Sequence, residues 1–172
     1  MGKHTESVEA VRARYRPKQI VTLFVGESAP NSGKFFYYGN TALTGYMNTA
    51  MEAAGLGSDG DFLERFKAYG WYLDDLVLTP VNHLKGARRK TRRKKCRDAQ
   101  NSMAARIKKY RPRAIVSLLL GIQDIVEAAA TAAGSNAPRF AVPFAGNGNQ
   151  TRFRKEMVRI LPRLPKSKRS PD

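Results

Sequence analysis

Cysteine and histidine are almost missing from this sequence. One cysteine, Cys96, stands among 172 residues, which excludes an internal disulfide and any metal or iron–sulfur site built on several thiolates. Histidine occurs twice, as His4 and His83, so a His-rich metal centre is excluded as well. Cys96 reads as an incidental thiol, because a nucleophilic cysteine needs a histidine beside it. Long apolar runs are missing too. None approaches the roughly 20 residues that span a bilayer, and the first residues form no apolar leader. A protein outside the membrane, in the cytoplasm, is expected. Acids are scarce: 14 Asp and Glu face 31 Lys and Arg, a formal net charge of +17 at pH 7. That excess points to a polyanion, most economically nucleic acid. A membrane surface is the weaker reading, because no basic helix carries Trp or Leu on its opposite face.

What is present is a globular pattern. Hydrophobic residues make up 42% of the chain, enough for one domain with its own core. The run from Ile20 to Val25 is β-branched and apolar, as in a strand buried on both faces. Similar runs predict strands over 19–26, 71–79, 112–121 and 139–143, with helical patterns between them. Residues 7–15 predict a short helix. Thr41 and Asp61 are N-cap candidates for helices after the first strand. Alternating strands and helices imply an α/β fold, a three-layer α/β/α sandwich around a four-stranded parallel sheet. Residues 1–18 read as an N-terminal extension, 19–164 as the domain and 165–172 as a frayed basic tail.

In such a sheet the strand C-termini lie on one edge, where ligands bind. Glu27 comes directly after the first strand, and Phe35, Phe36, Tyr37 and Tyr38 arrive just behind it. A carboxylate with aromatic rings close behind suits a water-positioning group beside a stacking platform. Asn82 and His83 come after the second strand, and an amide both donates to and accepts from the edge of a base. Between Lys85 and Arg97 lie nine basic residues and no acid, a phosphate-binding segment that carries affinity without sequence reading. The loop from Phe144 to Gln150 is rich in Gly and Asn and leads into a helix, as in phosphate cradles. No G-x-x-x-x-G-K-[ST] loop is present, which argues against a nucleotide-hydrolysing α/β protein.

Together these segments resemble the uracil-DNA glycosylase superfamily. Gly26-Glu-Ser-Ala-Pro30 is similar to its first active-site motif, Leu118-Leu-Leu-Gly121 to its third-strand segment, and 142–149 to a divergent form of its DNA-intercalating loop. The resemblance spans about 19–162. It implies a DNA repair enzyme that flips uracil out of DNA and hydrolyses its N-glycosidic bond without metal or cofactor, leaving an abasic site. In that reading Glu27 is catalytic, and His83 substitutes for the motif's loop histidine, whose place is taken by Val142. Gly26, Ser28, Phe36, Tyr37, Thr79 and Asn82 hold the base. Lys34, Arg88, Arg89, Arg92, Arg93 and Arg152 hold phosphates, with Phe144, Asn147 and Asn149 filling the gap in the stack. The expected partner is DNA with uracil or abasic sites, bound by a monomer associated with a bacterial-type nucleoid. The alternative is a non-catalytic nucleic-acid or abasic-site binder on the same fold. No histidine lies in the Arg-rich segment, so covalent capture of DNA is not expected.

Overall fold

The computed structural model describes residues 6–168, so His4 and the last four residues lie outside it. Four strands form one parallel sheet: β1 (Thr22–Gly26), β2 (Trp71–Asp75), β3 (Ala114–Ser117) and β4 (Arg139–Ala141). Their order across the sheet is β2-β1-β3-β4. β1, paired on both sides, has every residue buried, which is why its sequence is apolar without alternation. β4 is a short edge strand and partly exposed. The expected α/β sandwich is what the chain forms.

The helices are α1 (Val8–Arg14), α2 (Ala42–Ala53), α3 (Phe62–Ala68), α4 (Arg89–Asp98), α5 (Gln100–Tyr110), α6 (Gln123–Ala132) and α7 (Gln150–Ile160). α5 packs on α6, and α2 packs on α7. Thr41 and Asp61 cap α2 and α3 as expected, accepting from the backbone N–H of Thr44 and Leu63. The link from β1 leads to β2 on one side and the link from β2 leads back across to β3, so the order reverses between β1 and β3. That reversal opens a crevice at the strand C-termini. Among the described residues no helix is long and apolar enough to cross a membrane.

Three segments differ from the sequence expectation. Residues 6–18 are packed against the domain: Val11 and Tyr15 are buried, Tyr15 stacks on Tyr37, and Arg12 pairs with buried Asp74 at 2.9 Å. Residues 165–168 are docked, not frayed. The Pro165 carbonyl accepts from Thr22 Oγ1 and Trp71 Nε1, both at 2.9 Å. The second strand stops at Asp75, four residues before Thr79.

β2 is the sheet's other edge, and side chains close it. Tyr37 Oη donates to the Leu73 carbonyl at 2.8 Å and accepts from the Leu73 N–H at 2.6 Å. Arg106 donates to the carbonyls of Asp75 and Leu76. Asp74 gathers Arg12, Arg106 and Tyr110, tying α1 and α5 to this edge.

Candidate active site

The crevice holds a cavity of about 440 Å³, within the range of small-ligand sites. Its wall begins where β1 ends. Gly26 closes the strand opposite Asp75, and a Cβ on residue 26 would sit 2.7 Å from Asp75 Oδ1. Glycine is what lets the two strand ends approach so closely. Glu27 continues into the cavity, and Leu118 and Leu119 enter from the end of β3.

Glu27 does not stand alone. Arg92 Nε donates to Oε1 and Oε2 of Glu27 at 3.1 and 3.0 Å, and Arg92 Nη2 donates to Oε1 as well. These hydrogen bonds raise the Arg92 guanidinium above its ordinary range. One turn on, Cys96 points its thiol at Glu27 Oε2, 3.7 Å away. Residues four apart share a helix face, so this one face docks α4 on the site. Burial, then the Glu27 carboxylate, pushes the Cys96 thiol up to about 11, which leaves it protonated and unreactive at neutral pH.

Most of the basic run is a helix, α4, although it carries no apolar stripe. Arg and Lys are nevertheless good helix formers, and no proline interrupts them. Like-charge repulsion is relieved by Glu27, by Asp98, which pairs with Lys94, and by Asp124, which pairs with Arg93.

Aromatic side chains supply another wall. Phe36 is buried in T-shaped contact with Tyr37, Phe62 and Phe66, and it lines the cavity together with Phe35. Phe144, 47% exposed, lies at the rim with Asn147. Its ring folds against its own loop: a Cβ at Gly146 would meet Phe144 Cε1 at 2.6 Å. Asn147 takes a left-handed conformation, φ 54°, which Asn tolerates better than most residues. Ser28 Oγ accepts from Val81 N–H at 3.1 Å, and Asn82 Oδ1 accepts from Asn31 N–H at 2.9 Å. These bonds stitch the loop after β1 to the loop after β2, and they commit the Asn82 oxygen, leaving its NH₂ free to donate.

Of the residues singled out from sequence, Gly26, Glu27, Ser28, Phe36, Asn82, Arg92, Phe144 and Asn147 meet around this cavity. Others do not. Tyr37 is buried behind it, with its hydroxyl occupied by Leu73 and its ring facing a separate groove. Thr79 and His83 are exposed in the loop after β2 and outside the lining, because the strand ends early and turns away. His83 therefore does not line the cavity. Arg93 is turned to the protein, donating to the Gly121 carbonyl and Asp124. Lys34, Arg88, Arg89 and Arg152 are exposed outside the cavity, and Asn149 precedes α7 without a side-chain capping bond.

Sequence reasoning missed Asp75. It is the last residue of β2, buried, and lines the cavity. Burial raises its carboxyl from the ordinary range to about 7, against the lowering pull of Arg12 and Arg106 and with help from Asp74. The signal was there: two consecutive aspartates close an otherwise apolar strand, and a charge inside a buried strand needs a reason. Among the described residues no three of His, Cys, Asp and Glu gather as a metal site. No protein-family model matches this sequence, and no curated protein matches it.

Proposed function

We propose that this chain is a DNA glycosylase of the uracil-DNA glycosylase type, which flips a base from DNA and hydrolyses its N-glycosidic bond. The observation that carries the reading is the cavity at the sheet's reversal point, which Glu27 and Phe36 both line and beside which lies a helix of Arg and Lys. DNA phosphates along α4 and near Lys34 and Arg152 hold the strand. Phe144 at the rim fills the gap left by the flipped nucleotide. The extruded ring lies against Phe36, and the Asn82 NH₂ donates to a ring carbonyl. A water beside Glu27 attacks C1′ of the sugar: its oxygen bonds to carbon as the C1′–N bond breaks. The bonding pair leaves with the base as its anion, and the water's proton passes to the Glu27 carboxylate. Arg92, held on both Glu27 oxygens, keeps that carboxylate oriented. The partner is DNA carrying uracil or abasic sites, bound by a monomer in a bacterial-type cytoplasm at the nucleoid.

One observation favours a second reading. The same ion pair occupies Glu27, as it would in a protein that binds lesions without cutting them. Excision from a labelled uracil-containing oligonucleotide, in EDTA, with wild type beside Glu27→Ala, decides between them. Cleavage at uracil after alkali, lost in the variant, is expected. Salt-sensitive binding without cleavage by wild type would leave the binder reading standing.

A further inference from the structure

Two carboxyl groups line the cavity, and they are held in opposite ways. Glu27 has three hydrogen bonds from one guanidinium. The Asp75 carboxyl has none among the described residues. Its nearest cation is Arg12 Nη2, 4.0 Å from Oδ2, and that arginine spends its bond on Asp74 at 2.9 Å. Arg106 reaches Asp75 only through the backbone carbonyl. The groups acting on Asp75 are thus Arg12 from α1, Asp74 from its own strand and Arg106 from α5, and Glu27 and Arg92 line the same cavity. Its side chain is 8% exposed, and that exposure opens on the cavity.

A buried carboxyl with no donor is costly as an anion and inexpensive as an acid. As an acid it presents one O–H donor and one acceptor side by side, the complement of a ring carbonyl next to a ring N–H. The proposed reaction needs such a donor, because negative charge grows on the base as it leaves, and His83 is outside the cavity.

We infer that Asp75 holds the leaving base as a neutral carboxylic acid, its O–H donating to a carbonyl oxygen of the ring and its other oxygen accepting the neighbouring ring N–H. The inference rests on the glycosylase reading and assigns it a substrate class, bases with a carbonyl beside an N–H. No proton transfer is required: the acid hydrogen-bonds to the developing anion, and that anion disfavours ionisation of Asp75 further. Once ionised, Asp75 turns two acceptors toward the ring carbonyl and repels the base. Retention of the Asp75 proton, lost near pH 7, then sets the upper pH limit of the site.

The test is single-turnover excision of uracil between pH 6 and 9 by wild type, Asp75→Asn and Asp75→Ala. The wild-type rate should fall about tenfold for each pH unit above 7. The Asp75→Asn rate should not share that fall, because an amide offers a donor and an acceptor at every pH. Asp75→Ala should be more than about 100-fold slower than wild type at pH 6, with the gap narrowing above pH 7 because alanine has no carboxyl to ionise. The same proteins are titrated with duplex carrying 2′-fluoro-2′-deoxyuridine, which resists cleavage. Excision whose pH profile is shared by wild type and Asp75→Asn overturns this inference and leaves the glycosylase reading intact. No excision, but a uracil preference in binding that fades above pH 7 in wild type and not in Asp75→Asn, overturns the glycosylase reading and keeps the role of Asp75 in base recognition. Neither excision nor preference overturns both.

Discussion

Arg92 and Glu27 form a fork-on-carboxylate pair, 65 residues apart in sequence, that fastens the basic helix to the mouth of the cavity. Arginine's planar fork matches a carboxylate where a lysine ammonium does not. Arg92→Ala is therefore expected to lower single-turnover excision at saturating DNA by about tenfold or more through loss of Glu27 orientation. Arg92→Lys should recover binding affinity better than rate. A lowered affinity with an unchanged saturated rate would assign Arg92 to phosphate binding alone, with the salt slope reduced by about 1.

Gly26→Ala puts a methyl group 2.7 Å from Asp75 Oδ1. The carboxyl must turn or the strand ends must part, at about 1–3 kcal/mol. Urea denaturation should report that loss, and excision should fall with it. In the Asp75→Ala background the clashing oxygen is gone, so Gly26→Ala should cost markedly less there. Additive costs in this double-mutant cycle would exclude Asp75 as the group the glycine makes room for.

Asp75 also makes a stability prediction with a definite sign. Its carboxyl titrates near 7 in the folded protein and near 4 in an unfolded chain. Between those values the folded state binds the extra proton, so stability falls as pH rises from about 4 to about 7 and is flat above. The gap bounds the effect at roughly 4 kcal/mol. Asp75→Asn removes the titration. Its melting temperature should exceed that of wild type at pH 8, with the gain shrinking as pH falls toward 5. A constant difference across that range would mean that Asp75 ionises normally in the fold.

The architecture was legible because β1 and β3 are uninterrupted apolar runs and Thr41 and Asp61 cap helices where the pattern begins. Glu27 and Phe36 were legible as site residues for the same reason: the end of a buried strand places the next few residues at the crevice. Asp75 was not, because reading β2 through Val77 and Leu78 to Thr79 moved its end four residues too far and drew attention to Thr79 and His83. Hydrophobicity alone does not separate a strand from the loop that buries Leu76 and Val77 after it. The helix of α4 was hidden by its composition, since nothing in a run of Arg and Lys announces that one face, Arg92 and Cys96, meets a carboxylate 65 or more residues earlier. Local pattern carries elements; it does not carry which charge finds which.

The segment after Leu164 offers a last test, at the opposite end of the sheet. Thr22 Oγ1 and Trp71 Nε1 both donate to the Pro165 carbonyl, and both residues are fully buried. The Ser167 N–H adds a bond to the Tyr69 carbonyl at 2.8 Å, and Lys166 Nζ reaches the carbonyls of Leu161, Pro162 and Leu164. Truncation after Leu164 removes the shared acceptor and leaves two donors without a partner, each worth about 1–3 kcal/mol. Urea midpoints should fall accordingly with the denaturant slope unchanged. Thr22→Val in the shorter chain should recover part of the loss, because it deletes one stranded hydroxyl, whereas in the full chain the same change should cost stability. That reversal of sign is the specific signature of the Pro165 carbonyl. Loss of the same size for Thr22→Val in both chains would locate the effect in packing of the threonine itself.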